Sequence, residues 1–371
     1  MARSSTSTRK STKKQAPKQA QKNTDFEIAG HRVPPGERLQ FDLPGAALYT
    51  HTPINTPIEV INGKRPGPTL LVCSAIHGDE LNGVEIIRRL RTLPALKRLS
   101  GTLILAPVVN LHGFINKSRY LPDRRDLNRC FPGFKSGSLG SRIAYGFFNE
   151  IVRKCTHVID LHTAAVNRDN LPQMRADLST PGVEEMALGF SIPVIINSGL
   201  IDKSLRAEAG EIGIPVVTYE AGEALRLSEK AIVTGIRGVS NAMRAIDLLP
   251  MRKTKSAVAN PDIATGSKWL RASSDGMFRP LVELGARVAK GDALGVVSSP
   301  FDSDEDVLTS TVEGIVVGMA RQPLVNEGEA LCHVAVFEEA EEVEEKITAH
   351  GELIETDPLF GIEQVDDVDV V

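Results

Sequence analysis

The chain has 371 residues, 42% of them hydrophobic, which is enough for about two domains with real apolar cores. No apolar run reaches the roughly 18 residues that span a bilayer, and the N-terminus lacks the hydrophobic stretch of a secretion signal; four cysteines without a CxxC pair argue against a disulfide framework or a cysteine zinc site and fit a reducing, cytoplasmic setting. The net charge of −4 hides opposed ends, because residues 1–24 carry seven Lys or Arg and no acid, whereas residues 338–371 carry thirteen Asp or Glu against Lys346.

Residues 1–24, rich in Ser, Thr, Gln and Lys, hold too little apolar content to pack and are expected to be a disordered basic tail that serves solubility. Contact with nucleic acid or an acidic partner, and use as an organellar leader, are weaker alternatives. The first folded domain is expected over 25–250. From about residue 55 the text alternates between β-type runs and helical patterns, the mark of a mostly parallel sheet covered by helices on both faces. The strand candidates are TLLVCSA, TLILAPVV, HVIDLH, PVIINS and PVVTYE, and the helix candidates are LNGVEIIRRLRTL, GSRIAYGFFNEIVRK, PGVEEMALGF and GIRGVSNAMRAIDLL. HTAAVNRDNLPQMRADL reads as a loop, in which Arg168, Asn170 and Arg175 are candidate specificity residues. The basic, polar stretch 251–267 reads as a linker. Short strands and glycine turns from 268 to 337 indicate a small all-β barrel-sandwich domain, and 338–371 reads as an acidic tail.

His77 and Glu80 stand three apart in SAIHGDELNGVE, where an apolar run gives way to a helical pattern; His162 ends the run HVIDLH, 82 residues after Glu80. Residues three apart meet on one face of a helical turn, so both can grip one ion, and a third ligand from a distant strand closes the site. Two histidines and one carboxylate leave a coordination position for water, whose pKa falls to near ~7 on zinc. The spacing therefore predicts hydrolysis assisted by one Zn2+ per chain. Both halves of the set fall at the carboxyl ends of strands, where open α/β sheets bind their ligands. His112 and His157 read as structural histidines because the three-ligand set is already complete. Asp160, two before His162, reaches the ligand ring only if the strand stays regular.

HGDE at 77–80, SRYLPDRRDLNRCFPG at 118–133, DLH at 160–162 and TYEAGE at 218–223 together resemble the succinylglutamate desuccinylase and aspartoacylase family, over roughly residues 50–337. The resemblance implies the fold of the zinc carboxypeptidases and deacylation of an N-acyl amino acid. It implies Glu220 as the base and acid that activates water and protonates the leaving amine, with Glu223 as an alternative. It also implies Asn128 and Arg129 as the clamp on the substrate's α-carboxylate and Arg119 as the group that polarises the scissile carbonyl. RYLPDRRDLNR is two residues longer than the aspartoacylase pattern, which leaves Arg124 and Arg125 as alternatives to Arg119. Arg168 and Arg175 sit in a spacing similar to the RxNxPxxRA of the broader deacylase group and are expected to bind substrate. Residues 268–337 resemble a biotinyl or lipoyl carrier domain. Such carriers need a lysine at a hairpin tip, and none occurs between Lys290 and Lys346, so prosthetic-group carriage is not expected.

The expected activity is zinc-dependent hydrolysis of a linear amide in a small N-acyl amino acid. Carboxypeptidase-like hydrolysis of a peptide or γ-glutamyl bond is the runner-up, and a non-catalytic zinc-binding protein the third reading. Neither a membrane nor a nucleic acid is an expected partner, and a homo-oligomer is left open. The acyl group and the amino acid depend on loop residues that one sequence does not position.

Overall fold

A computed structural model describes residues 22–45, 50–251, 260–301 and 303–359. Its elements, in chain order, are β1 (Arg38–Leu43), β2 (Thr56–Asn62), β3 (Arg65–Ser74), α1 (Asn82–Leu90), β4 (Ser100–Ala106), α2 (Leu139–Glu150), β5 (His157–Ala164), β6 (Arg168–Ala176), α3 (Val183–Phe190), β7 (Val194–Asn197), α4 (Leu205–Glu211), β8 (Val216–Glu223), α5 (Glu229–Ala245), β9 (Gly266–Arg271), β10 (Gly314–Ala320), β11 (Ala330–Val336) and α6 (Ala340–Glu355). Shorter pieces connect them.

The principal sheet runs β9, β11, β10, β6, β8, β5, β3, β4, β2, β1, with β7 beside β6. Its centre is parallel: β4, β3, β5 and β8 all run the same way, and antiparallel pairs flank them on both sides. The central strands are apolar almost without interruption, as in Leu70–Cys73, because helices bury both faces. On one face Ile86, Leu90, Phe190, Ile236 and Val239 from α1, α3 and α5 meet Val72, Ile159 and Tyr219. On the other, Phe147 and Phe148 of α2 and Leu205 of α4 pack on Leu71, Ile104 and Val158. Edge strand β1 instead alternates exposed and covered residues, as a half-solvated strand does.

Three sequence expectations change. The segment 168–176, read as a loop, is strand β6, antiparallel to both β8 and β10. Its periodicity is masked by polar side chains that are spent inward: Gln173 Nε2 donates to Val317 O at 3.0 Å. The acidic tail expected from 338 contains α6, whose Ala340, Val343, Gly351 and Ile354 are buried and whose outer face carries the acids. The linker expected over 251–267 contains the short strand Asp262–Ala264, which pairs with β7, and β9 already starts at 266; residues 252–259 lie outside the described residues. Of the basic segment 1–24, residues 1–21 also lie outside them, while Asn23 Nδ2 donates to Asn62 Oδ1 and Gly63 O.

The β-rich C-terminal segment is continuous with the α/β body. β10 pairs with β6 through Gly318 and Asn170, so the sheet that carries the site extends into it. A four-stranded antiparallel sheet (Gly276–Pro280, Ala293–Ser298, Glu305–Thr309 and Leu324–Val325) shares an apolar core of Phe278, Leu294, Val297, Val316 and Leu331 with β10 and β11. Among the described residues no helix is long and apolar enough to cross a membrane.

Candidate metal centre and substrate pocket

β3 delivers the chain to the site and ends at Ser74. The HGDE motif is then a tight turn closed by Glu80 N donating to His77 O, before α1 begins at Asn82. The expectation of a helical turn is thus corrected, although the two side chains still converge. Gly78 is required by contact: a Cβ there would lie 2.0 Å from the backbone carbon of Gly113. Asn82 fixes the turn to β8 by donating to Ala221 O at 3.0 Å and accepting from Ser228 N at 3.0 Å.

β5 supplies His162 on the same face. His77 Nδ1 lies 2.7 Å from Glu80 Oε1, His162 Nδ1 2.8 Å from Glu80 Oε2, and the two Nδ1 atoms are 3.2 Å apart. All three residues are buried and form a group able to hold a metal ion. The other nitrogen of each imidazole meets a carboxylate: His77 Nε2 is 3.2 Å from Asp126 Oδ1, and His162 Nε2 is 2.8 Å from Asp160 Oδ2. Asp160 reaches His162 because strand alternation puts both on one face. In register beside it on β3, Cys73 Sγ donates to Asp160 Oδ1 at 3.5 Å.

Three carboxylates thus surround two imidazoles. For His77, His162, Glu80 and Asp126, burial works against charge, yet the net shifts run the other way. Burial would lower the His162 pKa, but Asp160 and Glu80 hold it well above its usual value. His77 is likewise raised, its burial outweighed by Glu80 and Asp126. Burial opposes ionisation of Glu80, but the two imidazoles keep its carboxyl well below the usual range. This is the field of a site that accommodates positive charge at its centre. The donor set also fits zinc, since two nitrogens bound at about 2.0–2.1 Å in a tetrahedron stand ~3.3 Å apart.

Arg119 faces this cluster, with one terminal nitrogen 3.1 Å from Glu80 Oε1 and the other 3.3 Å from Asp126 Oδ2. Arg124 and Arg125 are exposed, and Arg125 pairs with Asp123. Of the three arginines, Arg119 is the one at the cluster. Glu220 on β8 is level with His162 on β5; its Oε2 accepts from Asn170 Nδ2 at 3.0 Å, and its Oε1 is 3.7 Å from Arg175 Nε. Glu223 is occupied elsewhere, accepting from Asn167 N at 2.9 Å. Asn128 accepts from Leu205 N at 2.9 Å and so anchors the start of α4. Arg129 is exposed and donates to Asn128 O at 2.6 Å; no recorded contact among the described residues joins it to the cluster. The Arg168 guanidinium lies over the Trp269 ring, 5.5 Å from its centre, and Trp269 stacks on buried His333 at 4.5 Å. His112 is buried, and His157, in contact with Thr156, has its pKa lowered by burial; neither belongs to the metal-binding group.

Asp126 and Cys73 are absent from the expected set, while Asp160, weighed in the sequence only as a partner of the His162 ring, does meet it. Asp126 was signalled by its place two before Asn128 in DLNR, and Asp160 by alternation with His162.

A buried His–Glu–His group able to hold a metal ion thus lies at the carboxyl ends of parallel strands, with the Glu220 carboxylate level on the next strand. Residues 66–246 match the model of the succinylglutamate desuccinylase/aspartoacylase catalytic domain, and this segment belongs to that family. It is 23% identical over 291 residues to the N-alpha-acetyl-L-2,4-diaminobutyric acid deacetylase of Halomonas elongata, covering 75% of this chain and 85% of that one. It is 24% identical over 253 residues to a succinylglutamate desuccinylase of Pseudomonas aeruginosa, covering 62% and 71%. Its fold matches the ectoine utilization protein EutE (DoeB) of Ruegeria pomeroyi with a TM-score of 0.73 at 24% identity, over 85% of this chain and all of that one. It also matches a succinylglutamate desuccinylase/aspartoacylase of Rhodobacter sphaeroides with a TM-score of 0.72 at 24% identity, over 81% and 96%.

Proposed function

We propose that the protein is a zinc-dependent hydrolase that cleaves the amide bond of a small N-acyl amino acid. The observation that carries this reading is the buried His77–Glu80–His162 cluster lying level with Glu220 on the adjoining strand. His77 Nδ1, His162 Nδ1 and a Glu80 oxygen would hold one Zn2+, which when bound supplies Lewis acidity and a water of lowered pKa. The relatives that deacylate acetyl-diaminobutyrate and succinylglutamate support the same class of reaction.

The chain's own groups divide the rest of the work. Glu220 takes the proton of the attacking water and returns it to the amine nitrogen as the amide bond breaks. Asn170, which donates to Glu220 Oε2, fixes the carboxylate's orientation. Arg119 donates to the carbonyl oxygen as negative charge develops there, after releasing its contacts with Glu80 and Asp126. Asn128 and Arg129 take the α-carboxylate, and Arg168 and Arg175 contact the remainder of the substrate. The segment 268–337 acts as a small β unit without a carrier lysine; its Trp269 and His333 form the wall against which Arg168 lies.

The test is amine release from a panel of N-acetyl amino acids, N-succinyl amino acids and dipeptides, before and after chelation and again after Zn2+ is returned. Release from an acylated amino acid, abolished by chelation and restored by Zn2+, is expected. Release from dipeptides alone would move the protein to a carboxypeptidase-like reaction. No release from any panel member by the zinc-loaded protein would contradict the deacylase reading.

A further inference from the structure

A cavity of about 420 Å3 lies where the α/β body, the small β unit and the C-terminal helix meet, and no step proposed above uses it. Its walls come from β6, α5, the turn 283–286 and α6. It lies on the opposite face of the sheet from Glu220. Tyr219 of β8 reaches α5, donating to Ala231 O at 2.8 Å, and Glu220, the next residue along the strand, therefore points to the other face. β6 is irregular at this point: Glu220 is level with Gln173 and Gly222 with Asn170, so Leu171 and Pro172 together oppose Ala221. Both residues of this bulge line the cavity.

Polar groups in the cavity wall lack the hydrogen bonds that burial demands. Thr234 of α5 is 1% exposed, and its hydroxyl has no partner among the described residues. A helical threonine ordinarily bonds the carbonyl three or four residues back, and Thr234 does not. On α6, both ring nitrogens of His350 are buried without a partner. Burial, reinforced by the Lys230 charge, pushes the His350 pKa down to about 4, so near neutral pH the ring is uncharged and offers one donor and one acceptor. A half-turn about Cβ–Cγ exchanges each ring nitrogen with a carbon in the same outline, so the ring can turn its polar edge to the cavity without repacking. A buried polar group without a partner costs stability, and a ligand that supplies one recovers it.

The charge around the cavity is mostly of one sign. Among the lining residues, Glu283, Glu344, Glu352 and Glu355 stand against Lys230. Lys230 Nζ is already 3.4 Å from Glu355 Oε1, and Glu344 Oε1 accepts from Arg287 N at 2.8 Å. Glu283 and Glu352 are exposed, with no recorded side-chain contact among the described residues. Leu171, Leu284 and Ile347 make the wall between them apolar.

We infer that this cavity binds a small aliphatic ammonium compound with a second polar group at its far end. The ammonium lies at the Glu283 and Glu352 carboxylates, the carbon chain along Leu171, Leu284 and Ile347, and the far group on Thr234 and His350. The volume suits such a guest, since small-molecule pockets run from about 300 to 1,000 Å3. An anion would meet four carboxylates, and a wholly apolar guest would leave Thr234 and His350 unpaired. The site goes beyond the deacylase reading and does not depend on it.

The probe is 5-aminopentanol, titrated into the full chain supplied with Zn2+ and followed by the nitrogen-15 signals of labelled histidine rings. Pentylamine lacks the far hydroxyl, pentanediol lacks the charge, and hydroxypentanoate reverses it. The His350 signal, assigned by its loss in His350→Gln, is expected to shift while those of His77 and His162 stay in place. Affinity should be about fivefold or more lower for each comparison compound, and about three- to tenfold lower for the probe in Thr234→Val. Because Thr234→Val removes an unpaired hydroxyl and keeps the side-chain outline, its melting temperature should equal or exceed that of wild type, which separates lost binding from lost folding. A His350 signal unmoved by about 10 mM probe, equal affinity for the four compounds, or unchanged affinity in Thr234→Val would overturn the site. A shift confined to His77 and His162 would put the amine at the metal centre and overturn it equally.

Discussion

The two sides of strand β8 are built on opposite plans. Around His77, Glu80 and His162 the partners interlock: each imidazole has a carboxylate behind it, Asp126 or Asp160, Arg119 bridges two of the acids, and Thr163 N donates to Glu80 Oε2. Across β8, Arg175 Nε has no hydrogen bond and Arg206 is held by a hydroxyl and a carbonyl. Interlocked partners fix side chains in one geometry, as a metal requires. Across β8 the side chains are not fixed in this way.

The largest effect should come from breaking the interlocked wall. His162→Ala is expected to lower metal content to near zero and kcat/KM by roughly 10^4-fold, the scale seen when one member of a concerted set is removed. Metal analysis beside turnover checks it, and full activity without metal would contradict it. Asp160→Asn keeps the ligand but loosens its orientation, so metal affinity should fall about 10- to 100-fold, measured by competition with a chelator. Gly78→Ala acts through shape alone. Its Cβ would press on the backbone of Gly113, which cannot rotate away, so about 1–3 kcal/mol of stability should be lost in denaturant unfolding.

The smallest effect belongs to the open wall and is read through pH. Burial, reinforced by the Arg175 charge, pushes the His333 pKa down to about 4, against about 6.5 for an unfolded histidine. Above about 6.5 both states are neutral there and the group adds no pH dependence. Between about 6.5 and 4 the unfolded chain binds a proton that the folded chain refuses, so stability falls as pH falls through that window. Melting curves from pH 7.5 to 5 should therefore be flatter for His333→Phe, which keeps the stack on Trp269, than for wild type. Equal slopes would show that His333 titrates normally.

How much of this was legible followed from how each part is made. Central strands such as Leu70–Cys73 are apolar on both faces and announce themselves, and His77, Glu80 and His162 are a chemical pattern at a fixed spacing. β6 was hidden because RDNLPQMRA turns polar side chains inward, Asn170 onto Glu220 and Gln173 onto Val317 O, which erases the alternation of a half-buried strand. α6 was hidden by its acids, since only a thin stripe including Val343 and Ile354 touches the body. HGDE looked helical because an i,i+3 pair also converges across a tight turn.

The account turns on a metal cluster working with Glu220, and hydrolysis by Glu220→Gln at matched metal content tests it most directly. The expected result is unchanged zinc stoichiometry with kcat for an N-acyl amino acid lowered about 10^2- to 10^4-fold, the usual worth of a positioned general base. A variant that binds zinc and releases amine at the wild-type rate would contradict the account.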